Sequence, residues 1–495
     1  MILTLLLVPF LGSVVLFAMP EENSAQRLLL KQVALIISMI TFMVSILLWI
    51  LFDASAPHYQ FIYQVLSVSS DTEGQIGPYN AMSLSMGIDS LSLFFIMLTT
   101  FITPVCILSN WNDINKHLKS YLISFLVLEF LQLCVFVVLD LLLFYIFFES
   151  VLIPLFLIVG IWGSGISRIR SSFMLFLYTL FGSLWMLLSI MVLYSNYGST
   201  DFQFIDWSAN IDFYSQKWLW WGFFISFAFK TPLFPFHIWL PWAHASAPLG
   251  GSIILAAVIL KLATYGFMRI LIPIFPESTD YFGPVVQVIA VITLIYASLA
   301  TIRATDTKGI VALSSVCHVS VIIFGLFSNS LIGIEGAYLL AIAHGFVSPA
   351  LFICVGGIIY QRYHNRSIFT FKGLVQYMPI FTALFFFFSI ANAGVPLTFN
   401  FVGEFLALAG IYQLSPWIGG LASLGIFFSA CYSLWLHSRL SYGKISENLP
   451  KPMDLLPIEF TLLFTLLIAT VVFGVLPNVI LHATELNFGL LLYSS

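Results

Sequence analysis

Long apolar runs alternate with short polar connections from one end of the chain to the other. A membrane-crossing helix needs about 20 mostly apolar residues. On that criterion the pattern predicts fourteen spans, at 1–19, 28–52, 85–109, 119–138, 140–162, 171–195, 217–241, 249–273, 282–302, 309–328, 332–359, 376–410, 414–437 and 457–481. The run 376–410 is too long for one straight helix and holds Gly394, Pro396 and Asn400 in its middle. Two acidic connections are long, 53–84 with Asp53, Asp71 and Glu73, and 196–216 with Asp201, Asp206 and Asp212. The connection 438–456 is the most polar on the other face and is expected to lie along the membrane surface. No soluble domain is visible.

The basic residues orient this pattern. Fourteen of the 18 Lys and Arg, Lys308 and Arg366 among them, follow odd-numbered spans. Only Lys217 and Arg269 fall on the opposite face, and Lys230 and Lys261 lie inside spans. By the positive-inside rule the odd-span loops are inner. The even span count then puts both termini outside.

Composition agrees. The chain is 60% hydrophobic and 8% charged, against about 25% charged in soluble domains. A net charge of -4 with no basic patch points away from nucleic acid. The five cysteines, Cys106, Cys134, Cys317, Cys354 and Cys431, are scattered through apolar spans without a CxxC pair. That spacing argues against an iron–sulfur ligand set or a disulfide framework. There is no GxGxxG or P-loop, and no His/Cys/acid group has metal-ligand spacing. The start, MILTLLLVPFLGSVVLFAMP, lacks the basic or Arg/Ser-rich features of a signal or transit peptide. With 50 Phe and so few charges, synthesis inside an organelle is favoured over a bacterial source. WLWWGFF reads as an interfacial aromatic belt.

Against this background the deep ionisable residues stand out. Glu149 lies in DLLLFYIFFESVLIP, Lys230 in FAFKTPLFPFH, Lys261 in AAVILKLATYG and Glu404 in NFVGEFLALAG, with Glu129 midway through span four. Each costs about 2.5–3.5 kcal/mol at mid-membrane, and snorkelling cannot carry groups so deep to the interface. Structural ion pairs would offset the cost but rarely outperform apolar packing, so a functional role is the stronger reading. A lysine whose acidic partner approaches and leaves can load and release a proton. His318 and His344 are mid-span, with Ser314, Ser315, Ser320 and Ser348 nearby, and read as a water-and-histidine relay rather than satisfied core residues. His237 and His244 flank the end of span seven and are expected at an exit.

Pro232 and Pro235 break span seven beside Lys230, as Gly394 and Pro396 break span twelve before Glu404. Such breaks survive at membrane depth only where protein or water satisfies the freed backbone. Interrupted helices in matching positions of two halves point to an ion site. Spans four to eight and nine to thirteen then form two inverted five-helix repeats. The organisation expected is all-α: an N-terminal three-span segment 1–118, half-channels 119–275 and 276–440, and an inner loop with the C-terminal span, 441–495.

DLLLFYIFFESVLIP, FKTPLFPFHIWLPWAHASAP, GSIILAAVILKLATYG, DTKGIVALSSVCHVS, AHGFVSPALF and NFVGEFLALAG occur in this order, and from Met86 to Leu440 the chain resembles the antiporter-like subunits of respiratory complex I. The resemblance implies two inverted half-channels joined by a hydrated mid-membrane axis, in a multi-pass protein of the mitochondrial inner membrane. It implies that Glu149 pairs with Lys230, that Lys261 is the central lysine, that His318 and His344 relay, and that Glu404 ends the second half. Glu129 and His237 are weaker candidates. The partners implied are other complex I membrane subunits, especially the subunit 2 and subunit 5 paralogues, together with lipids. FMN, iron–sulfur clusters and ubiquinone are expected in other subunits, with no cofactor or metal on this chain. A multi-subunit sodium/proton antiporter of the same fold is the rival reading, and a scaffold without transport a third. Two departures from the family pattern stand out: Trp242 and Ser246 replace its usual acids, and Leu397 replaces a glycine.

Overall fold

The computed structural model describes residues 1–56, 58–68, 82–114, 116–208, 211–444 and 451–493. Asp71 and Glu73, and 445–450 of the connection expected along the surface, lie outside the described residues. Among the described residues eleven helices are long and apolar enough to cross a membrane, and Ile2–Ala18, Pro379–Asn392 and Phe399–Leu414 are shorter apolar helices. The seventh predicted span is two helices, Phe213–Lys230 and Trp239–Ser246, separated by irregular chain. The chain past Val475 forms a further helix, Asn478–Tyr493.

The chain is not wholly helical. Gln60–Val68 and Met82–Ile88 form an antiparallel hairpin, with Gln60 opposite Ile88 and Tyr63 opposite Met86. The third helix therefore starts at Ser90 rather than at 85. MSLSMGI alternates large and small residues with the period of a strand, a signal hidden because both phases are uncharged. Met86 also bridges Val138, and Leu139 N–H donates to Ser85 O at 3.1 Å. A short helix, Phe202–Ser208, occupies the other long acidic connection.

Aspartates start several helices by accepting first-turn N–H groups, the usual N-cap arrangement. Asp140 accepts from Leu142 and Leu143 at 2.9 and 3.0 Å, and Asp306 accepts from Lys308 N–H at 2.9 Å. Lys308, counted above as an inner-loop charge, is instead buried. Its ammonium donates to Ala247 O at 2.7 Å, while Arg366 donates to Ala245 O. The two cations thus hold carbonyls at the end of Trp239–Ser246, where the helix dipole favours positive charge.

Both breaks are satisfied by protein. Trp239 Nε1 donates to Phe229 O at 2.8 Å, and Phe234 N–H donates to Thr293 Oγ1 at 3.0 Å. In the second break Gly394 has φ 70° and Leu397 has φ 74°. Leu397 thus holds the left-handed conformation that suits the family's glycine, with its side chain 71% exposed. Since little burial is lost, Leu397→Gly should stabilise the protein by about 0.5–1 kcal/mol, the left-handed penalty less glycine's entropy cost. A raised melting temperature of the purified complex is the check; a lowered one contradicts it.

Candidate functional site

The interior around Lys261 is built from wide helical turns. Leu255–Ile259, Phe267–Leu271 and Ile353–Ile359 are π-helical, a geometry frequent at functional sites. Lys261 Nζ donates to Ala256 O at 2.6 Å and lies 2.7 Å from His344 Nδ1. The ammonium has only protons to offer. His344 Nδ1 therefore accepts, and the ring's own proton sits on Nε2, which has no partner.

The rings of His344 and His318 are 5.5 Å apart between centroids. His318 Nδ1 lies 2.9 Å from Glu404 Oε1, and its Nε2 lies 3.0 Å from Asn392 Oδ1. Asn392 is oriented by donating its Nδ2 to Ser433 Oγ at 2.9 Å. With Asn392 Oδ1 placed to take the Nε2–H, Nδ1 is the ring atom left facing the Glu404 carboxylate. Lys261, His344, His318 and Glu404 are all within 4% of full burial. A cavity of about 10 Å³ lined by His318, Glu404, Cys317 and Tyr432 is about the space one water requires.

The second break shapes this end. A Cβ on Gly394 would sit 2.4 Å from Glu404 Oε2. Only a bare backbone there leaves the carboxylate its place.

The first half is arranged differently. Lys230, 1% exposed, donates to Phe148 O at 2.7 Å and sits 3.2 Å from the centroid of the Phe148 ring. Both Glu149 carboxylate oxygens are covered and without a hydrogen-bond partner. Ion pairs among the described residues include Arg269–Asp89, His318–Glu404 and Arg362–Glu459. Glu149 and Lys230 are near enough to interact electrostatically but form no direct ion pair, and the ammonium is held by the carbonyl of the residue next to the glutamate.

Glu129 stands apart from this row. It is 0% exposed, accepts from Thr41 Oγ1 at 2.7 Å, and leaves Oε2 unpartnered beside an unpartnered Gln132. His237 packs between Phe234 and Tyr296 with Nδ1 unpartnered. His244, expected at an exit, is fully buried and stacked on Phe352, with neither ring nitrogen bonded. Where the family's acids would stand, Trp242 lies under the Arg170 guanidinium and Ser246 Oγ bonds Ser171 Oγ at 2.8 Å. Cation–π and hydroxyl contacts there take the place of carboxylates.

Sequence reasoning passed over Asn392 and Ser433, which orient His318, and named Asn400 only as part of a break, although its buried amide has no partner. Asn392 and Asn400 in FFFFSIANAGVPLTFN are the available signal. An amide in a run that apolar carries the same burial cost as other polar groups.

Residues 138–430 match the family described as NADH:quinone oxidoreductase/Mrp antiporter, TM. The chain is 54% identical over 495 residues to the NADH-ubiquinone oxidoreductase chain 4 of Mycosarcoma maydis, covering 100% of both chains. It is 45% identical over 478 residues to the chain 4 of Arabidopsis thaliana, covering 96% of this chain and 94% of that one. A chain in the structure of respiratory complex I from Thermus thermophilus with bound NADH superposes with a TM-score of 0.86 at 27% identity, covering 99% of this chain and 100% of that one.

Proposed function

Because the chain belongs to the NADH:quinone oxidoreductase/Mrp antiporter family, as a chain 4 type, antiporter-like membrane subunit of respiratory complex I, we propose that it moves protons across the inner mitochondrial membrane along its buried Lys, His and Glu residues. The observation that carries this reading is the row Lys261, His344, His318, Glu404, with contacts of 2.7 and 2.9 Å at its ends and two imidazoles between. Every member can both take and release a proton.

In this reading NADH oxidation and quinone reduction occur at FMN, iron–sulfur clusters and the ubiquinone site of other subunits. Charge changes reach this chain through its membrane neighbours, the subunit 2 and subunit 5 paralogues. The chain crosses fourteen times, with half-channels 119–275 and 276–440 as inverted repeats between segments 1–118 and 441–495. Glu149 closing on Lys230 holds a proton there, and its departure sends charge towards Lys261. The proton then crosses His344 and His318 to Glu404 and leaves outward. The full-length chain 4 relatives favour this over a sodium/proton antiporter subunit.

Lys230→Ala and Glu149→Ala, each in purified complex reconstituted in liposomes, should lower the protons moved per NADH oxidised while leaving the complex assembled. The ratio is read from lumenal pH change against NADH absorbance. An unchanged ratio in both variants rejects the proposal.

A further inference from the structure

Lys261 has a second neighbour along its own helix, towards the face opposite the Lys/Arg-rich loops. Tyr265 follows one turn on and Arg269 two turns on, both inside the helix stretch Leu260–Leu271. A proton on Lys261 therefore has two geometric ways forward: sideways to His344, or outward past these residues.

Among the described residues, the groups on the outward way have their protons already committed. Tyr265 is fully buried; its hydroxyl donates to Phe136 O at 3.2 Å and accepts from Arg269 Nε at 3.3 Å. Its one proton is committed to a carbonyl. Around it Phe95 stacks on Phe136 at 5.5 Å and meets Tyr265 and Tyr338 edge-on at 6.1 and 5.1 Å. The Tyr338 hydroxyl is likewise committed, to Leu91 O at 2.9 Å. Beyond this aromatic layer Arg269 Nη2 meets Asp89 Oδ2 at 2.9 Å, and the guanidinium lies 4.8 Å from the Tyr59 ring of the hairpin.

Arginine stays protonated in proteins and offers donors only. Asp89 is engaged at both oxygens: Oδ2 also receives Asn487 Nδ2 at 3.4 Å, and Oδ1 caps Ser92 N–H at 3.0 Å. A relay needs groups that alternate between donor and acceptor. Arg269 does not do so. A fixed cation in a narrow path also repels protons, as arginines do in selective pores. Stability alone is a poor reason for the pair, since buried ion pairs seldom outperform apolar packing.

We propose that Arg269, with the aromatic layer of Phe95, Phe136, Tyr265 and Tyr338 beneath it, is a proton barrier that closes the first half of the protein outward and forces a proton on Lys261 sideways to His344. The inference rests on the proton-moving function proposed above and adds the element that gives it direction. A simple hole above Lys261 would short-circuit the pump.

The test is the passive proton conductance of liposomes holding purified complex without NADH, driven by a potassium diffusion potential and read with a lumenal pH dye. Arg269→His places a relay-competent group in the path and should raise conductance at least about tenfold. If Arg269→His does not assemble, Arg269→Gln with Asp89→Asn removes both charges and leaves none buried unpaired, and the same leak is expected. Wild-type conductance in an assembled Arg269→His or double variant overturns the barrier. Because this measurement needs no turnover, its failure is distinct from failure of the pumping proposal, which the Lys230 and Glu149 variants read.

Discussion

Lys261→Ala is expected to cut the protons moved through this chain by roughly a hundredfold or more, the scale of a lost acid–base group. The lysine is the only member of the row contributed by the helix stretch Leu260–Gly266, and its ammonium holds the 2.7 Å contact to His344. Without it His344, whose Nε2 is already unpartnered, loses the hydrogen-bond partner of its Nδ1, and the two halves of the protein lose their bridge. Charge and transfer can be separated here. Lys261→Arg keeps the positive charge but cannot surrender a proton, so it should fail as badly as alanine. The measurement is lumenal acidification per NADH oxidised by reconstituted complex. Lys261→Arg pumping at the wild-type ratio would show that the residue serves as a fixed charge and would sink the relay.

Gly336→Val is expected to remove the chain from assembled complex. A Cβ on Gly336 would lie 2.2 Å from Ala407 N and 2.6 Å from Leu406 C, and one on Gly403 would lie 2.5 Å from Leu340 N. Two helices, Leu331–Phe352 and Phe399–Leu414, are thus pressed backbone to backbone, the close approach that small residues allow in membranes. The opposing atoms are main chain and cannot swing aside. Overpacking typically costs about 1–3 kcal/mol, and a clash with rigid backbone belongs at or above the upper figure, against a total stability of about 5–15 kcal/mol. Glu404 is carried on the helix that would be displaced. Gly283→Ala, at a position with no neighbouring atom within 4 Å, is the control. Complex abundance on a native gel should collapse for the first variant and not for the second; equal abundance would mean that the helices can part at small cost.

Much of this was legible from the residues, for identifiable reasons. Charges are scarce, so Lys230, Lys261 and Glu404 could be found simply by their cost in an apolar run. The breaks at Pro232, Pro235 and Gly394 were legible because proline and glycine act on the backbone locally. The hairpin was not, because a strand of uncharged residues reads like the end of an apolar helix. The burial of Lys308 was hidden for a related reason: loop position is visible in sequence, whereas its reach to Ala247 O depends on a helix end distant along the chain. Contacts between spans were the least legible. Nothing local in DLLLFYIFFES indicates that Phe148, rather than Glu149, would hold the Lys230 ammonium. Asn392 as the acceptor facing His318 Nε2 likewise depends on tertiary packing.

The four residues of the row sit on four different helices: Lys261 on Leu249–Ile274, His344 on Leu331–Tyr363, His318 on Thr307–Leu326 and Glu404 on Phe399–Leu414. Every link is therefore a joint between rigid rods, and none is internal to one. Helices commonly slide past one another by about 1–2 Å in conformational transitions, and that distance takes a 2.7 Å contact beyond hydrogen-bonding range. Conduction can be interrupted by a nudge at any joint while every helix stays intact, so a distant mechanical push is sufficient to switch it.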